Sequence, residues 1–68
     1  MSTIEHIKTA LKRLSFLGYH RFQVKQIIEE AIGQHIWEKD NHDQNIQILI
    51  KLEEYEKLGT DYLLTYSK

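Results

Sequence analysis

The chain has 68 residues, with no cysteine, no proline and three glycines; this length allows one small domain, and the composition excludes disulfide scaffolds, thiolate metal sites and thiol nucleophiles. Hydrophobic residues make up 41% and charged residues 28% of the chain, which is typical of a folded domain. Although the net charge is only −1, residues 1–25 carry five cations and one carboxylate, whereas residues 26–68 carry four cations and nine carboxylates. This asymmetry predicts a basic face that meets an anion; the alternative is that the two halves attract each other.

The first helix is predicted over about 3–17. Ser2 and Glu5 have the spacing of a capping box, in which each side chain bonds a free backbone N–H of the other residue. Apolar residues then recur at helical spacing along one stripe: Ile4, Ile7, Ala10, Leu11, Leu14 and Leu17. Gly18 follows and suits the left-handed residue just past a helix end.

The second helix is predicted over about 20–32, with His20 as its cap and Gly33 at its end. Its apolar residues share one side: Val24, Ile27, Ile28, Ala31 and Ile32. Residues 34–41 have no clear period, and we expect Ile36 and Trp37 to turn inward and close the bottom of the core.

The third helix is predicted over about 42–58, between a capping box at Asn41 and Gln44 and a stop at Gly59. Its apolar residues point in two nearly opposite directions, with Ile48, Leu52 and Tyr55 on one side and Ile46, Leu49 and Ile50 on the other. A helix that is apolar on two sides is either central in a bundle or shared with a partner. This pattern predicts self-association through the second group.

A short fourth helix is predicted over 61–66, with Thr60 as its cap. Its apolar residues would cover part of the third helix: Tyr62, Leu63, Leu64 and Tyr66. The predicted fold class is therefore all-α, a single domain over 1–68 with three main helices and a short C-terminal fourth helix.

The stretch ALKRLSFLGYHRFQVKQIIEE, counted from Ala10, resembles a helix-turn-helix of DNA-binding proteins. Gly18 lies at the turn, and Val24 and Ile27 lie where the second helix packs back on the first. The resemblance implies that five residues face DNA: His20, Arg21, Phe22, Lys25 and Gln26. The sequence departs from the pattern at Leu14, where a small residue is usual, and at Glu29 and Glu30, which bring negative charge to the second helix.

The Leu17-Gly18-Tyr19 corner is also similar to that of ubiquitin-associated-type three-helix domains, which bind partners around this loop. A similar corner occurs in the C-terminal domain of the bacterial Holliday-junction-binding protein. The interval before the third helix is longer here than in the ubiquitin-associated family. The resemblance implies a protein-binding corner.

Two phenylalanines lie among basic residues, with Phe16 beside Lys12 and Arg13, and Phe22 beside Lys25 and Gln26. Helical geometry directs both rings away from the apolar stripes. Exposed aromatics among cations are typical of interface anchors. The alternative is that Trp37 or the tail at 62–66 covers them.

Catalytic and metal-binding patterns are lacking in the sequence. No two histidines stand four apart on one helix, adjacent carboxylates diverge by about 100° around a helix, and there is no glycine-rich phosphate loop. We therefore expect no enzyme activity, no metal, no cofactor and no small-molecule substrate. The longest apolar run has three residues, Ile48–Ile50, and no signal-like segment precedes it, so we expect no membrane segment and a cytoplasmic location.

Two functions follow as expectations. The first is a small regulatory adaptor that binds a protein partner through a helical face or through the corner between the first two helices. The second is a helix-turn-helix protein that binds DNA as a dimer through His20 to Gln26. DNA binding would weaken steeply with salt, whereas apolar docking would not.

Overall fold

The computed structural model describes residues 2–66 and contains three α-helices in that range. These are α1 (Thr3–Phe16), α2 (Arg21–Ile32) and α3 (His42–Tyr66). The described residues form no strand, which confirms the all-α fold class. None of the three helices combines the length and the apolar character that a membrane span requires.

Both short helices begin and end within one residue of their predicted bounds. The Ser2 hydroxyl accepts a hydrogen bond from the Glu5 N–H at 3.3 Å, and the His20 N–H donates to the Gln23 side-chain oxygen at 2.7 Å. These bonds satisfy backbone donors that a helix start leaves free. Gly18 and Gly33 follow the helix ends with φ of 98° and 69°, values that L side chains rarely adopt.

The connector between α2 and α3 is held by polar side chains. Asn45 is buried; its Oδ1 accepts from the Trp37 indole N–H and its Nδ2 donates to the Lys39 carbonyl, both at 2.8 Å. Trp37 packs against the core as predicted. Ile36 is 72% exposed, so its predicted inward placement is wrong; the indole, with its N–H satisfied by Asn45, already closes this end of the core.

The predicted cap at Asn41 is confirmed, but its reciprocal bond is not formed. The Asn41 side-chain oxygen accepts from the Gln44 N–H at 3.1 Å. The Gln44 side-chain oxygen instead accepts from the Glu38 N–H at 2.9 Å. The start of α3 is therefore tied back into the connector, which fixes where α3 begins relative to α2.

The core lies between α3 and the two shorter helices. Its buried members come from all three helices: Ile7, Ala10, Leu14, Ile27, Ile48 and Leu52. α1 and α2 each pack mainly against α3 and contact one another least. The third helix is therefore the central one, which is one of the two arrangements that its apolar pattern predicted.

The predicted fourth helix is wrong, because α3 continues through Gly59 to Tyr66. Gly59 is helical, and a Cβ there would lie 3.0 Å from Tyr19 Cε2 and 3.3 Å from Leu17 Cδ1. This glycine permits close approach of the α1–α2 turn rather than ending a helix. Thr60 lies inside the helix, and the side chains of residues 62–64 are exposed instead of folding back; the side chain of Tyr66 lies outside the described residues.

The predicted second apolar side of α3 needs a correction at Leu49. This residue packs against the core, whereas Ile46 and Ile50 are exposed. A central helix covers two neighbours on adjacent sides, so its buried arc is wider than one stripe and includes Leu49. The exposed apolar residues left for self-association at this part of α3 are Ile46 and Ile50.

Candidate functional site

The turn between α1 and α2, residues 17–20 and called the corner below, is fastened to α3. The Tyr19 hydroxyl donates a hydrogen bond to the Tyr55 carbonyl at 3.0 Å. The two tyrosine rings meet edge to face at 6.1 Å, and the Tyr19 ring lies against Gly59. Leu17 and Tyr19 are therefore structural residues, and the corner holds its neighbours in fixed positions.

The two phenylalanines beside the corner are exposed. Phe16 is 92% exposed and Phe22 is 73% exposed. Neither Trp37 nor the described tail residues 62–65 cover them, so the alternative covering is wrong for these residues; the side chain of Tyr66 lies outside the described residues. The Phe22 ring stacks on His20 with 6.1 Å between ring centres and 8° between planes.

Most of the large exposed apolar side chains lie at the end of α1, at the start of α2 or in the last part of α3. Among the described residues, six of the nine large exposed hydrophobic side chains lie beside the corner or in α3 at and beyond the level of Gly59. They are Phe16, Phe22, Leu58, Tyr62, Leu63 and Leu64. Exposed apolar side chains of this size are candidate interaction residues on a folded domain. We call Phe16, Phe22 and Leu58 the corner surface.

The cations of α1 and α2 are mostly unpaired. Arg13 pairs with Glu56 of α3 at 3.4 Å. Four others form no ion pair with any described residue: Lys8, Lys12, Arg21 and Lys25. Attraction between the two charged halves of the sequence therefore explains only Arg13, and the other four cations are available to an anionic partner.

An apolar groove lies between α1 and α2. Its floor consists of half-buried side chains: Leu11, Val24, Ile28 and Trp37. Arg21 and Lys25 line its rim on α2, and Glu29 and His35 lie at the same rim, paired with each other at 3.3 Å. We call this site the basic groove.

The basic groove was not predicted as a site. The sequence places Leu11, Val24 and Ile28 in the apolar stripes, and the stripes alone predict core residues. One feature of the sequence does indicate the groove. Cations lie at helical spacing next to its apolar residues, with Lys8 and Lys12 near Leu11 and with Arg21 and Lys25 near Val24.

The groove between α1 and α3 is of a different kind. Most of its lining is polar or charged: His6, Thr9, Arg13, Glu53, Glu56, Lys57, Thr60 and Asp61, with Ala10 and Leu49 as its apolar members. The Arg13–Glu56 pair joins its two helices. Its charges are of both signs and partly neutralise one another, so it selects no class of partner.

The described residues contain no group of three or more histidines and carboxylates placed to hold a metal ion. Several carboxylates are instead in surface contacts. Glu30 pairs with Lys51 at 3.5 Å and accepts a hydrogen bond from the Tyr55 hydroxyl at 3.3 Å. These contacts join α2 to α3.

All residues that the helix-turn-helix resemblance directs to DNA are exposed: His20, Arg21, Phe22, Lys25 and Gln26. Lys12 is exposed as well. In this bundle, α2 packs on α3 more than on α1. Glu29 and Glu30 lie on α2 beyond these residues, with Glu30 exposed and Glu29 half-buried.

Comparison of the chain with family models, with curated proteins and with solved structures gives no match.

Proposed function

We propose that the chain is a small non-enzymatic adaptor that binds a protein partner through the corner surface. The observation that supports this most is the exposure of Phe16 and Phe22 on either side of a corner that is fastened to α3. Exposing two phenylalanine rings to water costs free energy in the monomer, and a partner that covers them recovers it.

Rigidity of the corner favours binding. Phe16 is the last residue of α1 and Phe22 the second residue of α2. The backbone on both sides is therefore ordered before a partner arrives, which lowers the entropy lost on association. Aromatic side chains beside cations such as Lys12 and Lys25 are common anchors of protein interfaces.

The test compares single substitutions at exposed apolar positions. Phe16→Ser and Phe22→Ser remove corner anchors, whereas Ile36→Ser removes an exposed isoleucine from the connector. We expect a partner that the parent chain captures from cell extract, and that binds it again after purification, to bind each phenylalanine variant at least about tenfold more weakly, a loss of about 1.4 kcal/mol. The Ile36→Ser variant should bind within about twofold of the parent. Equal weakening by all three variants would contradict the proposal.

DNA binding through α2 is the second candidate, supported by the unpaired and exposed Arg21 and Lys25. Retention on immobilised duplex DNA at low salt, falling steeply as salt rises, is expected if this candidate holds. Arg21→Gln and Arg13→Gln remove the same charge from two places. Only the Arg21 change should reduce retention if α2 contacts DNA, whereas equal effects would indicate nonspecific attraction.

A further inference from the structure

Two faces of the molecule have complementary chemistry. One is the basic groove, with an apolar floor from α1, α2 and Trp37 and with cations along its α2 rim. Arg21 and Lys25 line it on α2. Lys8 and Lys12 are neighbours of Leu11 on α1, three residues before it and one residue after it, but neither side chain lines the groove.

The other face is on α3. Ile46 and Ile50 are exposed and lie four residues apart, so they form one short apolar stripe. Acidic residues at spacings of three or four surround them: Asp43, Glu53 and Glu54, all exposed. We call these five residues the acidic face.

Most charged groups of these two faces form no ion pair within the described part of the chain. The two rim cations, Arg21 and Lys25, and the nearby Lys8 and Lys12 form no ion pair with any described residue. On the acidic face, Glu54 has a 3.9 Å contact with Lys51, whereas Asp43 and Glu53 form no ion pair in the described part of the chain. Each face therefore lacks the charge that the other supplies.

Packing explains why the groove accepts a helix. α1 and α2 both rest on α3 and have few contacts with each other, so the side chains between them are half-buried instead of closed off. A helix laid between them would contact both, as in a four-helix arrangement. Docking of an amphipathic helix into an apolar groove is a recurrent recognition mode.

We propose that the acidic face of one copy docks into the basic groove of a second copy. Ile46 and Ile50 cover Leu11, Val24 and Ile28, and the carboxylates of the acidic face lie near the cations of the groove. Ile46 and Ile50 point away from the core, while the groove opens on the α1/α2 side. The contact therefore joins two different surfaces and is head to tail, which produces a ring or a chain of copies.

Duplex DNA fits the groove less well than this helix does. A phosphate backbone would pair with the cations but leave the apolar floor without an apolar partner. Glu29 at the rim would face phosphate. A helix that combines isoleucines with carboxylates satisfies both parts of the site.

The experiment uses two variants that each lack one face. Arg21→Glu/Lys25→Glu reverses the charge of the groove rim, and Ile46→Ser/Ile50→Ser removes the apolar stripe of the acidic face. All four positions are at the surface, and far-ultraviolet circular dichroism with a melting curve verifies that both variants fold. Sedimentation velocity then measures association over a concentration series.

We expect the parent to form species that grow with concentration, and each variant to associate about tenfold more weakly or not at all. Arg13→Gln, which removes a cation from the other groove, should leave association within about twofold of the parent. The decisive measurement is sedimentation of a mixture of the two variants. One variant keeps an intact groove and the other an intact acidic face, so the mixture should form a dimer that does not extend.

Three results would overturn the proposal. The first is a parent that stays monomeric throughout the series. The second is association that neither variant weakens, or that Arg13→Gln weakens equally. The third is a mixture that remains monomeric while the parent associates, which would indicate a symmetric contact. If duplex DNA binds the monomeric parent and this binding is lost in Arg21→Glu/Lys25→Glu, the groove is a nucleic-acid site instead.

Discussion

The two grooves beside α1 differ in how they are closed. Between α1 and α3, Arg13 pairs with Glu56, and Tyr19 in the corner after α1 lies against Gly59 and donates a hydrogen bond to the Tyr55 carbonyl. Between α1 and α2, the side chains are only half-buried and the nearby cations are unpaired. The contact between α1 and α3 therefore maintains the fold, whereas the contact between α1 and α2 leaves apolar surface and charge available for a partner.

The largest expected effect on stability comes from a core leucine of α1, and a groove leucine of the same helix is its control. Leu14 is fully buried and Leu11 is half-buried. Leu14→Ala should lower the free energy of unfolding by about 3–4 kcal/mol. A chain of this length has a total stability of roughly 3–10 kcal/mol, so this loss removes about a third of it or more and should lower the melting temperature strongly.

Leu11→Ala should cost only about 1 kcal/mol, because part of its surface already contacts water. Thermal melting followed by circular dichroism compares the two variants. Similar melting temperatures would show that the groove floor is as buried as the core.

Asn45→Ala is expected to have the next largest effect, about 2 kcal/mol, because it leaves the Trp37 N–H and the Lys39 carbonyl without their partner. Since Trp37 is the single tryptophan, its emission reports the same change. We expect a lower unfolding midpoint in urea and a shift of emission to longer wavelength. An unchanged spectrum would contradict the assigned hydrogen bond.

Gly59→Ala tests whether close packing of the corner is the reason for this glycine. Alanine is more favourable than glycine in a helix interior by about 1 kcal/mol. Its Cβ, however, would lie against the Tyr19 ring, which the hydrogen bond from the Tyr19 hydroxyl holds in place. We expect Gly59→Ala to destabilise the parent by about 1 kcal/mol net, because crowding outweighs helix propensity.

The same change in a Tyr19→Ala background should instead stabilise the chain, by less than about 1 kcal/mol, since the ring at 3.0 Å is gone and only the Leu17 Cδ1 at 3.3 Å remains. A double-mutant cycle by urea denaturation measures both values. The same sign in both backgrounds would show that Tyr19 does not contact Gly59.

The smallest expected difference concerns single cations in the two grooves. Arg13→Gln should destabilise the chain by less than about 1 kcal/mol, the usual range for an exposed ion pair. Lys25→Gln removes a cation that has no carboxylate partner among the described residues, so it should be neutral or slightly stabilising. Chemical denaturation at low salt resolves this difference, and a greater loss for Lys25→Gln would contradict the contrast between the grooves.

The helices, their caps and most of the core were predictable from the sequence because local spacing determines them. The side chains of Ser2 and Asn41 accept the predicted N–H bonds, although neither predicted capping box forms its reciprocal bond, and the turns after α1 and α2 need the positive φ of Gly18 and Gly33. Gly59 has the same identity but a different role. The difference arises from Tyr19, which is 40 residues away in sequence and contacts Gly59 only after folding.

The candidate surfaces were predictable only in part. The outward direction of Phe16 and Phe22 follows from helical spacing, but their exposure depends on a tail that continues straight as part of α3. The basic groove depends on the separation of α1 from α2, which an apolar stripe does not encode. Leu11, Val24 and Ile28 have the periodicity of core residues, and only the packing of both helices on α3 leaves them half-buried.

Quenching of Trp37 fluorescence tests the open, basic character of the groove most directly, because the indole lies in its floor. At low micromolar concentration and low salt, we expect iodide, an anion, to quench the parent more strongly than caesium, a cation. In Arg21→Glu/Lys25→Glu the preference for iodide should decrease or reverse, while uncharged acrylamide quenches both proteins equally. An iodide-to-caesium ratio that is the same in parent and variant would contradict the account.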